Sequence, residues 1–403
     1  MVKTIIKEIA RNLYILRLDD DSIRYFEALW YIPEGITYNS YIYLGSETRI
    51  LFDTWKIGYD SMFIEALREV IEPKDIDYLV VHHMEPDHSG AIAPLIELNP
   101  RIKILGHPLV KNMMESFYGV RNANFRPVKD LEELDIGDEK IKFIYTPWLH
   151  WPETIMSYLY NLKTLFTGDV FGAYSIPNSI FSDELSHGYI DFMRKYFVNV
   201  IGHYRQHVEK NINKLLGLGL DVRLIAPLHG ALWRDFEKAA RYYIGWSRGE
   251  GVKGKVTIVY SSMYGFVEKA IRLVKELLES HGVNISVHKI TDKYRSEISD
   301  ILSDIIDSSA IVLGAATYEA SVFPYMDYII NQIIRKTSPS KPVLIISSYG
   351  WGGVAGKMMK STLSRSGFNV IDVIEYKGLL DDNVKARIKE SVERIIRFLG
   401  RTG

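Results

Sequence analysis

Short apolar runs alternate with amphipathic stretches along most of this chain. In the first part, strand-like runs cover residues 41–44, 49–52, 76–81, 102–105, 142–145, 164–167 and 222–226. Helical periodicity covers residues 61–71 and a longer run near 185–218. Short apolar strands that alternate with helical segments predict a mixed α/β fold.

The alternation becomes more regular further along the chain. Strands are predicted at 256–260, 285–289, 310–314, 342–347 and 369–374. Helices are predicted at about 265–281, 294–306, 323–336, 353–366 and 382–399. Five strands with intervening helices predict a doubly wound parallel sheet, in which ligands bind at the carboxyl ends of the strands.

A change in composition separates the two parts. Residues 247–255 contain three glycines among charged residues, a composition typical of a linker. A new apolar strand follows at Val256. We therefore predict one domain at residues 1–251 and a second at 252–403.

Four potential metal ligands lie within six residues just after the apolar run at 76–81: His83, Glu85, Asp87 and His88. A ligand-rich loop at the end of a buried strand is where an α/β protein places a metal site. The cluster therefore predicts metal binding. Ordinary core or surface positions are predicted for the histidines at 82, 107, 187, 203, 207, 281 and 288.

Three more candidate ligands, His150, Asp169 and His229, also follow apolar runs. Seven ligands are too many for one zinc ion but fit two ions that share a carboxylate, for which Asp169 is the natural bridge. Glu85, Asp87 and Asp169 supply three negative charges against the four of two divalent ions, and a hydroxide would neutralise the rest. Because the chain has no cysteine, the ligands are imidazole and carboxylate, which suit iron, manganese or zinc.

A second candidate site follows the strand at 256–260. Hydroxyl groups and a glycine lie between that strand and a helix, where backbone N–H groups and the helix N-terminus can hold a phosphate. The loop lacks the G-K-[ST] ending of a Walker A motif. It also does not match G-x-G-x-x-G, the dinucleotide-binding motif, so a mononucleotide is favoured over a dinucleotide. The candidate residues of this loop are Ser262, Met263, Tyr264, Gly265, Phe266 and Val267.

Two further loops are expected after the third and fourth strands of this part. Aromatic side chains in them can stack on a flat ring, and backbone amides can tune its electronics. The candidates are Ala316, Thr317, Tyr318 and Glu319 in the first loop, and Ser348, Tyr349, Gly350, Trp351 and Gly352 in the second.

The ligand spacing resembles the metallo-β-lactamase superfamily, whose zinc members carry H-x-H-x-D-H. Here Glu85 takes the place of the second histidine. H-x-E-x-D-H, followed by His150, Asp169 and His229, is similar to the flavodiiron proteins, also called A-type flavoproteins. The segments GITYNSY at 35–41 and HWP at 150–152 resemble family segments as well, so the resemblance covers almost the whole chain. A carboxylate in place of histidine makes a harder site, which favours iron over zinc.

The resemblance implies a metallo-β-lactamase-like αββα sandwich at 1–251 and a flavodoxin-like, doubly wound, parallel five-stranded sheet at 252–403 that binds FMN. The implied ligand sets are His83, Glu85 and His150 for one iron, and Asp87, His88 and His229 for the other, with Asp169 bridging. The phosphate loop resembles the S-x-T-G-x-T of flavodoxins, but Tyr264 and Val267 replace both threonines. Backbone amides and Ser262 are therefore expected to hold the phosphate.

The implied activity is reduction of O2 to water or of NO to N2O, with electrons relayed through FMN. The implied assembly is a head-to-tail homodimer, or a dimer of such dimers, in which FMN of one subunit lies near the di-iron site of the other. A separate rubredoxin, a flavin reductase or reduced coenzyme F420 is expected as electron donor. Glu27 and Glu153 are candidates for proton delivery.

Two alternatives stay open at this point. One is a zinc hydrolase of β-lactamase or glyoxalase type with an appended flavodoxin domain, against which Glu85 argues. The other is a non-enzymatic electron carrier or redox sensor, against which the complete ligand set argues. Metal analysis and gas consumption by the reduced protein would discriminate among them.

The charge, the hydropathy and the lack of cysteine limit which further partners and which location are expected for this chain. A net charge of −1 gives no reason to expect nucleic acid or a membrane surface as a partner, and no apolar run approaches the roughly 18 residues of a membrane span. The first residues lack the apolar region of a signal peptide, so the cytoplasm is the expected location. Without cysteine, any cysteine-bound iron that delivers electrons must lie on another protein.

Overall fold

The computed structural model describes residues 2–186 and 188–400, so His187 lies outside the described residues. Packing divides the chain into two compact units, Met1–Tyr243 and Ile244–Gly403. A helix at Phe236–Arg248 spans this division. The domain boundary at 251/252 lies shortly beyond the end of that helix and stays a prediction.

The first unit is built mainly from strands. In chain order they are β1 (Val2–Ala10), β2 (Leu13–Asp20), β3 (Tyr25–Phe26), β4 (Trp30–Tyr31), β5 (Ile36–Leu44), β6 (Arg49–Phe52), β7 (Tyr78–Val81), β8 (Lys103–Gly106), β9 (Phe125–Pro127), β10 (Glu133–Asp135), β11 (Lys140–Tyr145), β12 (Ile155–Leu159), β13 (Thr164–Phe166) and β14 (Leu224–Ala226).

These strands form two main sheets and a small hairpin of β3 and β4. The first sheet has the order β1-β2-β5-β6-β7-β8-β9, and the second has the order β10-β11-β12-β13-β14. Strands β6 to β9 pair in parallel, and so do β13 and β14. The core lies between the sheets: alternate residues of β2 and β5, such as Ile15 and Tyr41, pack in one cluster with Phe143 and Phe166 of the second sheet.

The helices of this unit are α1 (Asp60–Arg68), α2 (Pro86–Ser89), α3 (Ile92–Leu98), α4 (Leu109–Tyr118), α5 (Tyr189–Tyr196), α6 (Arg205–Gly217) and α7 (Phe236–Arg248). The helix predicted near 185–218 is therefore two helices. A π-helical segment at Phe197–Ile201 and a 3₁₀ turn at Gly202–Tyr204 separate them. Periodicity alone did not reveal this change in winding, because the apolar positions continue through it.

The second unit contains the strands β15 (Lys255–Ser261), β16 (Asn284–Thr291), β17 (Tyr294–Arg295), β18 (Ala310–Tyr318), β19 (Ser321–Val322), β20 (Pro342–Tyr349) and β21 (Asn369–Lys377). Its helices are α8 (Phe266–Ser280), α9 (Ile298–Ile306), α10 (Pro324–Lys336), α11 (Ala355–Arg365) and α12 (Asp382–Phe398).

Five of these strands form the predicted parallel sheet in the order β16-β15-β18-β20-β21. Two short antiparallel strands, β17 and β19, add to it and were not predicted. Helices α8 and α12 pack on one face of the sheet around residues such as Ile258 and Leu344. Within the described ranges, no helix has the length and apolar character of a membrane span.

Candidate metal centre and flavin loops

The seven predicted metal ligands lie in loops at the carboxyl ends of strands or in the short helix that follows β7. Parallel pairing brings the ends of neighbouring strands to one edge of a sheet, where their loops can meet. His83 and Glu85 follow β7, Asp87 and His88 lie in α2, His150 follows β11, Asp169 follows β13, and His229 follows β14.

The first group of candidate ligands consists of His83, Glu85, His150 and Asp169, whose ligand atoms all lie close together. Glu85 Oε2 is 3.1 Å from His83 Nε2 and 3.0 Å from His150 Nε2. His150 Nε2 is also 3.0 Å from Asp169 Oδ2. Two imidazoles and two carboxylates thus converge on one point.

The second group consists of Asp87, His88 and His229. The two Nε2 atoms of His88 and His229 lie 3.0 Å apart, and each is 3.3 Å from Asp87 Oδ2. His88 therefore lies in the group to which the family resemblance assigned it.

Asp169 lies between the two groups. Its Oδ2 faces the first group, 3.0 Å from His150 Nε2 and 3.5 Å from His83 Nε2. Its Oδ1 faces the second group, 2.9 Å from His88 Nε2 and 3.5 Å from His229 Nε2. One carboxylate therefore offers one oxygen to each group, as a bridge between two metal ions requires.

The donor set fits a pair of metal ions. Adjacent ligands at about 2.1 Å from a shared ion are about 3 Å apart, which matches these separations. Within the described part of the chain, both carboxylate oxygens of Asp87 are buried without a hydrogen-bond partner. Buried anionic oxygens need a compensating cation, and two metal ions would supply it.

The electrostatics of the pocket also favour positive charge. Burial alone would lower the pKa of His150, but its hydrogen bonds with Asp169 and Glu85 raise it to about 9. Burial likewise opposes protonation of His83, and hydrogen bonds with Glu153 and Glu85 outweigh it to raise that pKa well above its ordinary value. Bound cations would take the place of these protons.

His83 and His229 are each oriented by a hydrogen bond at Nδ1, the ring nitrogen that points away from the other candidate ligands. His83 Nδ1 is 2.8 Å from Glu153 Oε1, which also accepts from Met84 N at 3.1 Å. His229 Nδ1 donates to Thr37 O at 2.6 Å. A proton on Nδ1 leaves the Nε2 lone pair free to bind a metal ion.

Glu153 therefore has a different role from the one predicted. Its buried carboxylate is held ionised, because hydrogen bonds to His83 and Met84 N outweigh burial and lower its pKa. An ionised acceptor that fixes an imidazole does not suit proton delivery. Only packing shows this pairing, since the two residues are 70 positions apart.

The segment at 35–41 supports the loop that carries His229. Thr37 accepts hydrogen bonds from His229 Nδ1 at its carbonyl and from Gly230 N at its hydroxyl. Asn39 Nδ2 donates to the carbonyls of Pro227 and Gly230. The side chains of this motif therefore position a candidate ligand rather than bind metal.

His82 lies outside both groups, as predicted. Its ring is fully buried, with Nδ1 2.5 Å from Asp53 Oδ2 and Nε2 2.7 Å from Ser157 Oγ. It packs in the core beside the stacked pair Phe52 and Phe166, with its ring centroid 6.0 Å from each of theirs.

Aromatic side chains surround His229. The ring centroids of Tyr196, Tyr38 and Phe26 lie 5.3, 5.6 and 5.7 Å from its imidazole. Tyr38 belongs to the segment at 35–41, whereas no sequence motif indicated Tyr196 or Phe26.

The predicted phosphate loop connects β15 to α8. Ser262 Oγ accepts hydrogen bonds from Gly265 N at 3.1 Å and from Glu268 N at 3.4 Å. Gly265 has a φ of +83° with open space around it, so the chain turns here into the helix that begins at Phe266. The amides of Gly265 and Glu268 thus point at the Ser262 hydroxyl oxygen, in the loop where the phosphate is predicted to bind.

The two predicted ring loops begin later than expected. Ala316, Thr317 and Tyr318 belong to β18, and Ser348 and Tyr349 belong to β20. The strands extend further than predicted because backbone pairing continues from Ala315 and Ala316 to Ser347 and Ser348.

The ends of β18 and β20 nevertheless carry exposed aromatic rings. Glu319 and Ala320, both with positive φ, form the turn into β19, and Thr317 Oγ1 accepts from Val354 N at 3.1 Å. Tyr318 is partly exposed, and Trp351 is 97% exposed. Their contacts with a flavin stay a prediction.

The fold and the paired groups define a metal-binding sandwich with a flavodoxin-like unit. Residues 36–230 match a family model described as ODP family beta lactamase. Rubredoxin-oxygen oxidoreductase of Megalodesulfovibrio gigas is 30% identical over 367 residues, which cover 90% of each chain. Nitric oxide reductase of Moorella thermoacetica is 28% identical over 366 residues, again 90% of each chain.

A solved structure extends the likeness to the whole chain. A mutant flavo di-iron protein of Thermotoga maritima is 36% identical, has a TM-score of 0.92, and covers 99% of this chain and 100% of that chain. This chain belongs to the flavodiiron protein family. The family and fold class expected from the motifs are thereby confirmed.

Proposed function

We propose that this protein is an oxidoreductase that reduces O2 to water, NO to N2O, or both, at two iron ions with electrons relayed through FMN. The observation that carries the proposal is Asp169, whose two oxygens face two separate groups of buried ligands. The relatives named as a rubredoxin-oxygen oxidoreductase and a nitric oxide reductase support both substrates.

The ligand assignment follows the two groups. His83, Glu85 and His150 would hold one ion, and Asp87, His88 and His229 the other, with Asp169 shared. Bound iron supplies redox chemistry to a diatomic ligand, and FMN supplies electrons singly. The buried carboxylate of Asp169 would be shared by the two ions and would hold them together.

Iron rather than zinc is proposed because three carboxylates join four imidazoles. The approach of Glu85 to both His83 and His150 supports its assignment as a ligand. Harder oxygen donors favour iron over zinc. The zinc-hydrolase alternative predicts zinc in the purified protein and no gas consumption.

Proton delivery is assigned to Glu27, since Glu153 is engaged with His83. Trp30 Nε1 donates to Glu27 Oε2 at 3.0 Å. Burial of the carboxyl and the charge of Glu85 raise the pKa of Glu27 to about 7, while the residue keeps solvent contact in the β3–β4 turn. A carboxyl that both exchanges with solvent and responds to Glu85 suits the proton demand of either reaction.

The FMN phosphate is assigned to the loop from Ser262 to Val267, and the ring to the strand ends that carry Tyr318 and Trp351. Exposed aromatic rings at the carboxyl edge of a doubly wound sheet suit stacking on a flavin. Ser262 and the backbone amides of the α8 turn would hold the phosphate.

We also assign a head-to-tail homodimer in the cytoplasm, with a separate protein or reduced cofactor as electron donor. Two inactive full-length variants test the dimer: Asp169→Asn, which lacks the bridge, and Gly265→Val, which strains the phosphate turn. Mixed dimers are expected to regain part of the activity. Mixtures that stay inactive, with both variants folded, would count against transfer between subunits.

The activity is tested on the full chain loaded with iron and FMN. After anaerobic reduction, O2 and NO uptake are followed in parallel electrode traces while flavin absorption is recorded. Gas consumption with flavin reoxidation is expected, and the ratio of rates identifies the preferred substrate. No consumption by protein that holds both irons would favour the electron carrier or sensor instead.

A further inference from the structure

Tyr174 has a hydroxyl group that no part of the proposed function explains. Its side chain is fully buried. In the described ranges, the hydroxyl oxygen is closed to solvent and forms no hydrogen bond. Buried tyrosine hydroxyls nearly always have a partner, either in the protein or in a bound molecule. The position of this group therefore points to a ligand.

The chain after Asp169 passes unusually close to the second metal group. Gly172 N donates to Asp169 O at 3.0 Å. A Cβ at Gly172 would lie 3.2 Å from the Tyr196 ring and 3.3 Å from His229 Cβ. Because residue 172 is glycine, the backbone can pass close to the candidate ligand His229. Tyr174 lies two residues further along the chain.

The Tyr174 ring is held by other rings rather than by a hydrogen bond of its own. Its centroid is 5.0 Å from that of Tyr196 and 5.5 Å from that of Phe26. Both of these rings also contact His229. This packing holds the Tyr174 ring one aromatic layer away from His229, a candidate ligand of the second group, while its own hydroxyl makes no hydrogen bond in the described ranges.

Charges from both metal groups act on the Tyr174 phenol. Burial raises its pKa well above the ordinary value, and Glu27, Glu85, Asp169 and Asp87 act in the same direction. Glu85 belongs to the first group, Asp87 to the second, and Asp169 lies between them. Carboxylates of both groups are therefore among the charges that act on this phenol.

We infer that the Tyr174 hydroxyl donates a hydrogen bond to the small ligand held between the two metal groups. This inference rests on the proposed function, since the ligand is a diatomic substrate or a small anion in its place. Tyr174 would favour ligands whose free atom accepts a hydrogen bond.

The test uses the full chain loaded with cobalt(II), whose visible absorption reports ligand binding, and azide as the probe. Tyr174→Phe keeps the ring and removes only the hydroxyl, so the fold is expected to persist. Azide should bind Tyr174→Phe about tenfold more weakly, the loss expected for one hydrogen bond to a charged ligand.

Tyr158→Phe is the matched control. Tyr158 is also buried, but its hydroxyl donates to Asp221 O at 2.9 Å, in the segment that precedes β14. The candidate ligand His229 follows the opposite end of that strand. Azide affinity in this variant should equal that of the unmodified protein.

A measurement on the unmodified protein is independent of any variant. The infrared stretching band of bound azide should shift when D2O replaces H2O, because the hydroxyl proton exchanges. No shift, or the same shift in Tyr174→Phe, would overturn the inference.

Equal azide affinities in the unmodified protein and Tyr174→Phe, each holding one cobalt per group, would also overturn it and leave the proposed function standing. A chain that binds fewer cobalt ions than the two groups provide for would instead contradict the two-metal centre, on which both proposals depend.

Discussion

At the scale of single residues, neighbours in sequence take opposite roles here. His82 and His83 are consecutive at the end of β7, and successive side chains of an extended chain point to opposite sides. His82 therefore turns into the core toward Asp53, whereas His83 turns toward Glu153 and Glu85. The sequence already indicated His83 rather than His82 as the ligand, because the H-x-E-x-D-H spacing to Glu85, Asp87 and His88 begins at His83.

Glu153→Gln tests how His83 is positioned. The amide loses the charge that stabilises the Nδ1–H of His83, so the Nε2 lone pair is less well directed. We expect metal affinity of the first group to fall about tenfold to a hundredfold. Competition with a chelator, followed by metal analysis, measures this.

Glu139→Gln is the control for that variant. Glu139 is also buried, but it accepts hydrogen bonds from the backbone of Asn161 and Leu162 rather than from a candidate ligand. It should lose thermal stability without losing metal. Unchanged metal affinity in Glu153→Gln would remove its assigned role.

Asp304, in α9, is expected to make the free energy of unfolding depend on pH. It accepts from Lys255 Nζ and His288 Nε2, each at 2.8 Å. Burial would raise its pKa, but these bonds outweigh burial and lower the pKa well below the ordinary value. The native carboxylate binds a proton less readily than the unfolded one, so its contribution is present above about pH 4 and is lost as pH falls further.

Asp304→Asn should therefore lower the free energy of unfolding by about 2 kcal/mol at neutral pH. The difference from the unmodified protein should shrink steadily below about pH 4. Urea unfolding at a series of pH values measures both effects. Asp292→Asn, at an exposed position, should show neither; an equal loss at every pH in Asp304→Asn would contradict the electrostatic explanation.

At the scale of elements, the turn into α8 shows how a motif can change and keep its geometry. Val267 is buried in the first turn of α8, in the core of the flavodoxin-like unit. Valine and threonine have the same shape, so the backbone path is kept while one hydroxyl donor is lost. The turn itself depends on Gly265, which has a φ of +83°. Residues that carry a side chain rarely adopt this conformation.

Val267→Thr is expected to tighten FMN binding about tenfold, because the new hydroxyl can donate to a charged phosphate. Quenching of flavin fluorescence on titration of the apoprotein measures the dissociation constant. Val274→Thr, in the same helix and fully buried, should destabilise the unit without tightening FMN binding. Equal FMN affinities in Val267→Thr and the unmodified protein would place the phosphate elsewhere.

At the scale of the whole molecule, metal binding and flavin binding are assigned to different compact units. A fragment of residues 1–251 keeps every candidate metal ligand and all of α7. We expect it to bind two irons but not to turn over with a donor that reduces flavin. Iron analysis and gas uptake measure this against the full chain, and appreciable activity of the fragment would contradict relay through FMN.

Much of the second unit was predictable because its central strands β15, β18 and β20 are mostly buried apolar runs and its helices are amphipathic. All five parallel strands and all five helices were placed within a few residues. The first unit was harder. Its first strand, β1, mixes half-buried and exposed residues, and β9 and β10 are only three residues long, so periodicity gives little signal there.

The sequence alone determined the ligand types, their spacing in the His83–His88 cluster, the parallel sheet and the phosphate turn, because each depends on residues close together in the chain. Tertiary structure alone decided that Asp169 lies between two groups and that Glu153 and Thr37 orient the imidazoles. It also decided that the Tyr174 ring packs against Tyr196 and Phe26, the rings that contact His229. These relations join residues far apart in sequence. They arise from the packing of two sheets, which leaves no local periodic signal.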